Sequence, residues 1–335
     1  MSNSLEFAPP KVWLAPMSGA TDAAFRRQAV RFGAPAVVSE MVAGEALAAE
    51  RADMVRRTCR HEGGGAWIVQ LAARRPEDMY RGAVLLAEAG VDVIDINMGC
   101  PSKQVTGGQS GSALMREPEL ARRIVQAAKA GAGDRPVTLK MRLGWDHDTL
   151  NAPDLARMAE GEGIAMLTVH GRTRCMFYKG EADWARIGDS VAATALPVIA
   201  NGDIDGADAA RACLAASGAS GVMIGRAAMG RPWLLGQVAA ALEGRSMPDP
   251  SREIQGQSLC EQIADSVKLY GAKLGVRIVR KHVSAALDLA PLPVTDAERR
   301  QLRADLCRID APDQLIATVG ALYRAEVAPG DVLKA

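Results

Sequence analysis

The stretch Val91–Pro101, with the sequence VDVIDINMGCP, decides the fold of this chain. Its first half, Val91–Ile96, is an apolar run typical of a buried strand in a parallel sheet. An amide, a glycine, a cysteine and a proline follow at once, where the chain must turn. A cysteine at such a turn is placed to meet a ligand, although a cysteine is often only a small buried hydrophobic residue.

Similar short apolar runs recur on both sides of this stretch, and helical patterns lie between them. The other candidate strands are Val12–Ala15, Ala36–Ser39, Trp67–Gln70, Val137–Met141, Met166–His170, Pro197–Ala200 and Gly221–Ile224. The clearest helical patterns are Pro76–Ala89, Glu119–Ala130, Ala152–Glu162 and Ala207–Ala216. Eight strand–helix units across residues 11–240 predict a (β/α)8 TIM barrel of the α/β class. A doubly wound sheet is the alternative, but it would need fewer strands and a clear switch point.

The pattern changes after Gly244, where Ser246–Pro250 (SMPDP) is typical of a linker. Beyond it, helical patterns follow one another with no strand between them. They cover Gln257–Leu274, Val276–Leu289, Asp296–Ile309 and Pro312–Arg324. We therefore expect a barrel domain over residues 1–245 and a C-terminal all-helical domain over residues 250–335.

Composition narrows the classes of protein that are possible. The net charge of +1 argues neither for nor against a nucleic-acid partner. The six cysteines are scattered, without the spacing of a zinc site or a disulfide framework, so we expect no metal and a reducing compartment. The N-terminus lacks a signal-peptide pattern, and no apolar stretch could cross a bilayer, which predicts a cytoplasmic protein without a membrane partner.

Polar groups stand at the C-terminal ends of nearly all the predicted strands, where TIM barrels carry their active sites. These ends carry Pro16-Met17, Glu40-Met41, Gln70, Asn97 with Cys100, Lys140 with Arg142, His170 with Arg172, Asn201-Gly202-Asp203 and Gly225-Arg226. A barrel without a site would not need lysine, histidine, glutamine and asparagine at so many of these positions. Their joint occurrence favours an active site at this face.

The last two strand ends have the composition of a phosphate site. Gly202 and Gly225 would let backbone N–H groups approach an anion, and Arg226 adds a forked donor. Two tight turns that need glycine are the alternative. Neither G-x-G-x-x-G nor a Walker A sequence is present, which disfavours a Rossmann site or a P-loop.

Lys140 lies late in an apolar strand and would be partly desolvated at the barrel mouth. Two chemistries suit such a lysine: a Schiff base with a carbonyl substrate, or stabilisation of negative charge on a cofactor ring such as a reduced flavin. Gln70 and His170 could give further hydrogen bonds to a heteroaromatic ring. The Schiff base leaves Gln70, Cys100 and the phosphate site less well explained.

Five motifs together resemble the tRNA-dihydrouridine synthases, and most of all their bacterial B type. They are Ala15–Asp22 (APMSGATD), Asp95–Pro101 (DINMGCP), Lys140–Arg142 (KMR), Thr168–Arg172 (TVHGR) and Ala200–Ile204 (ANGDI). The resemblance covers residues 11–240 and extends more weakly beyond them. It implies an FMN-dependent barrel that reduces selected uridines in tRNA to 5,6-dihydrouridine, with NADPH, or NADH, as the reductant of the flavin.

The same resemblance implies roles for individual residues. Those that would hold FMN are Pro16, Met17, Ser18, Gln70, Lys140, His170, Asn201, Gly202, Asp203, Gly225 and Arg226. Cys100 resembles the residue that gives a proton to C5 of the uracil while the flavin gives hydride to C6. A thiol, with an ordinary pKa of about 8.5, is still protonated at neutral pH, where a carboxylic acid would be ionised. Asn97, Arg142 and Arg172 are candidates to orient the base.

A uridine in folded tRNA must leave its stack to reach the barrel mouth, so the RNA backbone has to be held elsewhere. Lys273, Arg277, Arg280 and Lys281 recur at helical spacing in a segment without acidic residues, Lys268–His282. This pattern favours a basic face of the helical domain that binds RNA phosphates. A solvated helix face is the alternative.

Three other functions stay open at this point. The first is an FMN-dependent barrel reductase that acts on a free small molecule. The second is a non-catalytic RNA-binding protein that has kept the barrel, and the third is a lyase that forms a Schiff base through Lys140.

Overall fold

The computed structural model describes residues 8–107 and 109–324, and within them a closed barrel of eight parallel strands comes first. The strands pair in chain order, and β8 closes the barrel against β1. They are β1 (Val12–Leu14), β2 (Ala36–Ala43), β3 (Ile68–Ala72), β4 (Val93–Met98), β5 (Val137–Arg142), β6 (Met166–His170), β7 (Val198–Asn201) and β8 (Gly221–Ile224). The predicted TIM barrel is confirmed. The predictions made for residues 1–7 and 325–335, at the ends of the two expected domains, lie outside the described residues.

Helices cover the outside of the barrel and make up the C-terminal part of the described chain. They are α1 (Ala23–Arg31), α2 (Gly44–Ala48), α3 (Ala52–Thr58), α4 (Pro76–Glu88), α5 (Lys103–Thr106), α6 (Pro118–Ala132), α7 (Ala152–Gly161), α8 (Trp184–Ala192), α9 (Ala207–Ser217), α10 (Leu234–Leu242), α11 (Arg252–Tyr270), α12 (Ala272–Leu289), α13 (Asp296–Leu306) and α14 (Pro312–Arg324). Two 3₁₀ helices, Gly111–Arg116 and Arg226–Ala228, follow β4 and β8.

The two-residue period of the strands separates an apolar outer face from a layered interior. In β5, Leu139 and Met141 are fully buried in the core between strands and helices. Alternate residues point to the other face, so Thr138, Lys140 and Arg142 belong to the barrel interior. The lower interior is an apolar layer made of Trp13, Ala36, Val38, Ile68, Val93, Met166, Ile199 and Met223. Polar side chains stand above it, toward the C-terminal ends of the strands.

β2 is longer than its apolar run predicts. The predicted end at Ser39 is wrong, because the strand continues through Glu40 and Met41 to Ala43. The Glu40 side chain still reaches the mouth, where it accepts from the N–H of Gly19. An irregularity in the pairing with β3 lies between Val38 and Met41, after which the ladder continues to Ala43. A bulge of this kind lets a strand run on while its side-chain alternation shifts, a change that alternation in the sequence does not reveal.

The break between the first two C-terminal helices also differs from the prediction. We expected a helix over Gln257–Leu274, but α11 runs from Arg252 to Tyr270. Gly271 ends it with φ 82° and ψ 162°, a conformation that glycine adopts without strain, and α12 starts at the next residue. Apolar residues recur at helical spacing on both sides of Gly271, so the sequence pattern alone does not show that the helix ends there.

Helices α11–α14 enclose an apolar core of their own, formed by residues between Leu259 and Tyr323. They contact the barrel at α1, where Arg27 Nε lies 2.5 Å from Asp265 Oδ2. Phe25 stacks on His282 with ring centroids 4.7 Å apart, and Lys281 Nζ donates to the carbonyl of Gly19 in the loop after β1. The helices therefore reach the same face of the barrel as the strand ends.

Two kinds of feature are absent from the part of the chain that the structure describes. No helix there is both long and apolar enough to cross a membrane. Those residues also contain no cluster of three or more His, Cys, Asp or Glu side chains that could hold a metal ion.

Gly256→Ala should lower the free energy of unfolding by about 1–3 kcal/mol, because α11 and α14 are packed too closely for a methyl group. A Cβ at Gly256 would lie 2.3 Å from Cβ of Tyr323. Gly161→Ala in α7 is the matched control, since a Cβ there meets nothing within 4 Å and alanine favours the helix. Urea unfolding measures both variants, and equal midpoints would contradict this packing.

Candidate active site

The loop after β4 holds Cys100 in a fixed place at the barrel mouth. Its backbone N–H donates to Asn97 Oδ1 at 3.0 Å. Its carbonyl accepts from the backbone N–H of Ser112 at 3.2 Å and from Ser112 Oγ at 2.8 Å. The thiol is half-buried, is not in a disulfide and forms no hydrogen bond within the described residues. The chain around the cysteine is thus fixed while the sulfur is left for a ligand.

A chain of side-chain hydrogen bonds connects this loop to the inside of the barrel. Thr138 Oγ1 donates to Asp95 Oδ1, and Gln70 Nε2 donates to Asp95 Oδ2, both at 2.7 Å. Asn97 Nδ2 donates to Gln70 Oε1 at 2.7 Å, which leaves Asn97 Oδ1 to accept from the loop. We call these four side chains the Asp95 network. Asp95 fixes which way the Gln70 amide points, and Gln70 in turn fixes Asn97.

Lys140 lies beside this network and is a buried cation with a lowered pKa. Its Nζ donates to Asn201 Oδ1 at 2.9 Å, while Asn201 Nδ2 donates to the carbonyl of Met223 at 2.7 Å. Burial, and after it the positive charge of Arg142, lowers the pKa of Lys140 to about 8. A lysine with this pKa is still mostly charged at neutral pH, and a buried electron-rich ligand would hold it charged.

His170 presents an unsatisfied polar atom to the same space. Its Nδ1 is buried and has no hydrogen-bond partner within the described residues. Burial, followed by the positive charge of Lys140 and of nearby arginines, lowers its pKa well below the ordinary value. The ring is therefore neutral at pH 7, with one nitrogen that donates and one that accepts. A buried polar atom without a partner in the protein is typical of a ligand site.

Glycines follow β7 and β8, at positions where an added side chain would meet neighbouring residues. At Gly225 an added Cβ would come within 3.5 Å of Met17 Sδ, so a side chain there would fill the space between β8 and the loop after β1. At Gly202, φ is +121° and a Cβ would lie 2.7 Å from Ala182 Cβ. Arg226 has an exposed guanidinium, 60% accessible, 3.4 Å from Asp203 Oδ1. Backbone N–H groups at glycines and an exposed guanidinium are groups that can bind an anion. We call Asn201, Gly202, Asp203, Gly225 and Arg226 the cradle.

The loop after β1 carries the other residues predicted to line the flavin. Met17 N donates to Thr21 Oγ1 at 2.9 Å, and the Met17 carbonyl accepts from the N–H groups of Ala20 and Thr21. The turn is therefore fixed by its own hydrogen bonds. It places Met17 Sδ beside Gly225, and Pro16 and Ser18 are its neighbours in the same loop.

Three residues predicted to orient the base are buried and hydrogen-bonded to the protein. Asn97 belongs to the Asp95 network and is 7% exposed. Arg142, 3% exposed, donates from Nε to the carbonyl of Gly99 at 2.7 Å and from Nη1 to carbonyls of the loop after β6. Arg172 donates to both carboxylate oxygens of Asp203, at 2.9 Å to Oδ1. These bonds hold the loops around the mouth in place.

Tyr178 is a residue at the mouth that the sequence analysis does not identify. Its side chain is 57% exposed, and its ring lies 5.6 Å from the guanidinium carbon of Arg142 and 5.4 Å from that of Arg226. It lies in a loop without a recognisable pattern, so nothing in the local sequence marks it. The sequence analysis also does not identify the contact between Asp95 and Thr138. Both residues alternate with apolar residues in their strands, and this pattern could have placed them on the interior face.

The predicted basic face lies on α12. Lys273, Arg277 and Lys281 are exposed, four residues apart, and therefore share one side of the helix. Arg280 is instead engaged by Asp310 Oδ1 at 2.6 Å and by the carbonyl of Ile309. The exposed row begins beside the barrel mouth, because Lys281 contacts Gly19.

A closed parallel barrel with titratable and polar groups gathered at the C-terminal ends of its strands defines a TIM-barrel enzyme. A family model described as "Dihydrouridine synthase (Dus)" matches residues 13–319. The chain belongs to the dihydrouridine synthase family, whose members are tRNA-dihydrouridine synthases, a group of flavin-dependent oxidoreductases.

Curated relatives agree with this assignment over nearly the whole chain. A "Probable tRNA-dihydrouridine synthase" of Rhodobacter capsulatus is 47% identical over 323 residues, which are 96% of this chain and 97% of that protein. The "tRNA-dihydrouridine synthase B" of Xanthomonas axonopodis pv. citri is 41% identical over 320 residues, 95% of this chain and 94% of that protein. The resemblance to the B type is therefore confirmed.

Solved structures of distant proteins share the barrel alone. A 2-naphthoyl-CoA reductase complex superposes with a TM-score of 0.51 at 12% identity, over 70% of this chain and 50% of that chain. A 6-hydroxypseudooxynicotine amine oxidase from Pseudomonas geniculata gives a TM-score of 0.51 at 14% identity, over 77% of this chain and 50% of that chain. This chain thus spans about half the length of those two proteins, and at such identities the likeness concerns the fold only.

Asn97→Ala should free the loop that carries Cys100, because it removes the acceptor of the Gly99 and Cys100 N–H groups and leaves Gln70 Oε1 unpaired. We expect faster amide hydrogen exchange at residues 99 and 100 and a loss of about 1–3 kcal/mol in the free energy of unfolding. Asn151→Ala, which removes a hydrogen bond to the carbonyl of Met115, is the control. Unchanged exchange at residue 100 would contradict the role of Asn97.

Proposed function

We propose that this chain reduces uridines in tRNA to 5,6-dihydrouridine, with FMN as its flavin and NADPH, or NADH, as the reductant. In this proposal residues 1–245 form the catalytic barrel and residues 250–335 a helical tRNA-binding domain. The observation that supports the reaction best is the fixed backbone of Cys100 at the mouth, whose thiol is unpaired and whose loop is tied to Gln70 and Asp95.

FMN fits the residues present at the mouth. Lys140 and His170 offer a cation and an unsatisfied ring nitrogen toward a heteroaromatic ring, and Gln70 has one amide hydrogen left for it. Asn201, Gly202, Asp203, Gly225 and Arg226 form the cradle for its phosphate end, and Pro16, Met17 and Ser18 line its other side. When bound, FMN supplies the hydride that goes to C6 of the uracil.

Cys100 supplies the matching proton to C5. A thiol can give up a proton at neutral pH without being ionised beforehand, which a surface carboxylic acid cannot do. The hydrogen bonds to Asn97 and Ser112 hold the backbone of Cys100, which limits the positions that its thiol can take. The Cys100 thiolate would regain its proton from water, and NAD(P)H would supply the electrons that a bound flavin needs for the next turnover.

Positioning of the uracil belongs to groups that still have hydrogen-bonding capacity. Arg172 has little hydrogen-bonding capacity left, since its side chain donates to Asp203 and to the carbonyls of Lys179 and Gly180. We assign Arg172 and Asn97 to holding the mouth loops. Arg142 holds the carbonyl of Gly99 through Nε, and its Nη2 has no partner within the described residues, so it can still face the base.

Replacement of Cys100 by alanine should lower dihydrouridine formation by about 100-fold or more, the usual contribution of a general acid. FMN binding and flavin reduction by NADPH should be retained, because Cys100 does not belong to the flavin cradle. Cys175→Ala is the matched control, as it removes an exposed thiol from a mouth loop. Full turnover on a tRNA transcript by Cys100→Ala would exclude the cysteine as the acid. Turnover of free uridine by the native chain would favour a small-molecule reductase.

Lys140→Met should weaken FMN binding by about ten- to hundred-fold, the worth of a hydrogen bond to a charged group. Because the pKa of Lys140 is lowered to about 8, its positive charge is present below that pH and is lost above it. FMN affinity of the native chain should therefore decline from about pH 8 upward, while Lys140→Met stays flat between pH 7 and 9. Fluorescence titration with FMN measures both, and Lys129→Met on the outer helix α6 is the control.

A further inference from the structure

We propose that Arg116, held against Trp145 at the rim of the barrel mouth, is a second binding site for the RNA backbone and takes a phosphate group close to the reactive uridine. We call the three side chains of Arg116, Trp145 and Arg174 the Arg–Trp–Arg stack. This inference rests on the proposed function, because the phosphate belongs to the tRNA that the enzyme reduces.

Three separate connections build the stack on one face of the barrel. Arg116 ends the 3₁₀ helix after the Cys100 loop, Trp145 follows β5, and Arg174 follows β6. The guanidinium carbons of Arg116 and Arg174 lie 4.8 Å and 4.5 Å from the centre of the Trp145 ring. All three connections leave the C-terminal ends of the strands, so the stack is on the same face as Cys100.

Arg174 and Trp145 are anchored to their surroundings. Arg174 Nη2 donates to Thr106 Oγ1 at 3.2 Å, and Thr106 ends the short helix α5 behind Cys100. The backbone N–H of Arg174 donates to Gly144 O, and that of Cys175 to Trp145 O, both at 2.9 Å. The backbone at Trp145 is thus anchored, and Arg174, which packs on the indole, is connected to the loop after Cys100.

Arg116 is exposed, and its charge is not neutralised by an ion pair. Within the described residues its guanidinium forms no hydrogen bond or salt bridge. The hydrogen bond from Thr149 has the largest effect in lowering the pKa of the Asp146 carboxylate, and the charge of Arg116 is near enough to help lower it. That carboxylate forms no ion pair with Arg116, and it accepts from Thr149 Oγ1 at 2.7 Å and from the N–H of Asp148 at 3.1 Å. A guanidinium resting on an aromatic ring keeps its N–H edge open, and that planar edge matches two oxygens of a phosphate.

The stack also lies in a suitable place for RNA. In the closed barrel β5 is opposite β1, and Lys281 of α12 contacts Gly19 just after β1. Exposed cations therefore stand on two opposite sides of the mouth, one set on α12 and the other at Arg116. The RNA strand runs in both directions from a nucleotide whose base enters the mouth. Phosphate groups therefore lie on both sides of that nucleotide.

The test measures binding of an unmodified tRNA transcript to the FMN-loaded enzyme at several salt concentrations. Arg116→Ala should weaken binding by about three- to tenfold and lower the slope of log K against log salt by about one, as expected for one lost phosphate contact. Arg116→Lys should fall between, because it keeps the charge and loses the planar fork. Arg123→Ala, an exposed arginine on the outer helix α6, is the matched control and should bind as the native chain does.

A Lys273→Ala/Arg277→Ala variant separates this inference from the function it rests on. If that variant loses affinity and Arg116→Ala binds normally with an unchanged salt slope, the Arg116 site is refuted and tRNA binding stands. If the native chain itself does not bind the transcript, the proposed function fails first. FMN affinity and thermal unfolding show whether Arg116→Ala is intact, and Arg116→Gln, planar but uncharged, replaces it if it is not.

Discussion

The carboxylate of Asp95, buried in the barrel and bound by Thr138 and Gln70, is the constraint on which the site depends. Both oxygens of the Asp95 carboxyl group accept hydrogen bonds, one from Thr138 Oγ1 and the other from Gln70 Nε2, so the Gln70 amide turns its NH₂ group toward it. The amide oxygen then faces Asn97, and Asn97 in turn offers its own oxygen to the Cys100 loop. One buried carboxyl group thus sets three successive orientations, from the barrel interior to the loop that carries Cys100.

This arrangement has a cost that the rest of the barrel offsets. Burying a carboxylate is unfavourable, and burial raises the pKa of Asp95. Hydrogen bonds from Thr138 and Gln70 and the positive charge of Lys140 compensate for part of this effect. The apolar layer beneath, which includes Trp13 and Met166, and the apolar core outside the strands supply the hydrophobic stabilisation. A polar layer can therefore be kept at the top of the interior, where a ligand needs it.

The sequence predicts the barrel well because strand periodicity is a local signal, and all eight apolar runs are strands in the structure. It fails where the decisive contact is distant or hidden. The bulge that extends β2 beyond Ser39 depends on pairing with β3, and Gly271 breaks a helix inside a continuous apolar period. Motifs place Lys140 and His170 correctly in strands. They do not show that Arg172 is occupied by Asp203, since that pairing joins loops 31 residues apart.

Two groups of side chains can be distinguished at the mouth, by whether their hydrogen bonds are used within the protein. Side chains whose hydrogen bonds are used inside the protein, such as Asn97 and Arg172, fix where the loops lie. Groups with capacity left over, such as the Cys100 thiol and His170 Nδ1, determine what can bind and react. The supporting bonds come from several strands, so Lys140 and His170, which stand on strands, depend less on any one loop than Cys100 does.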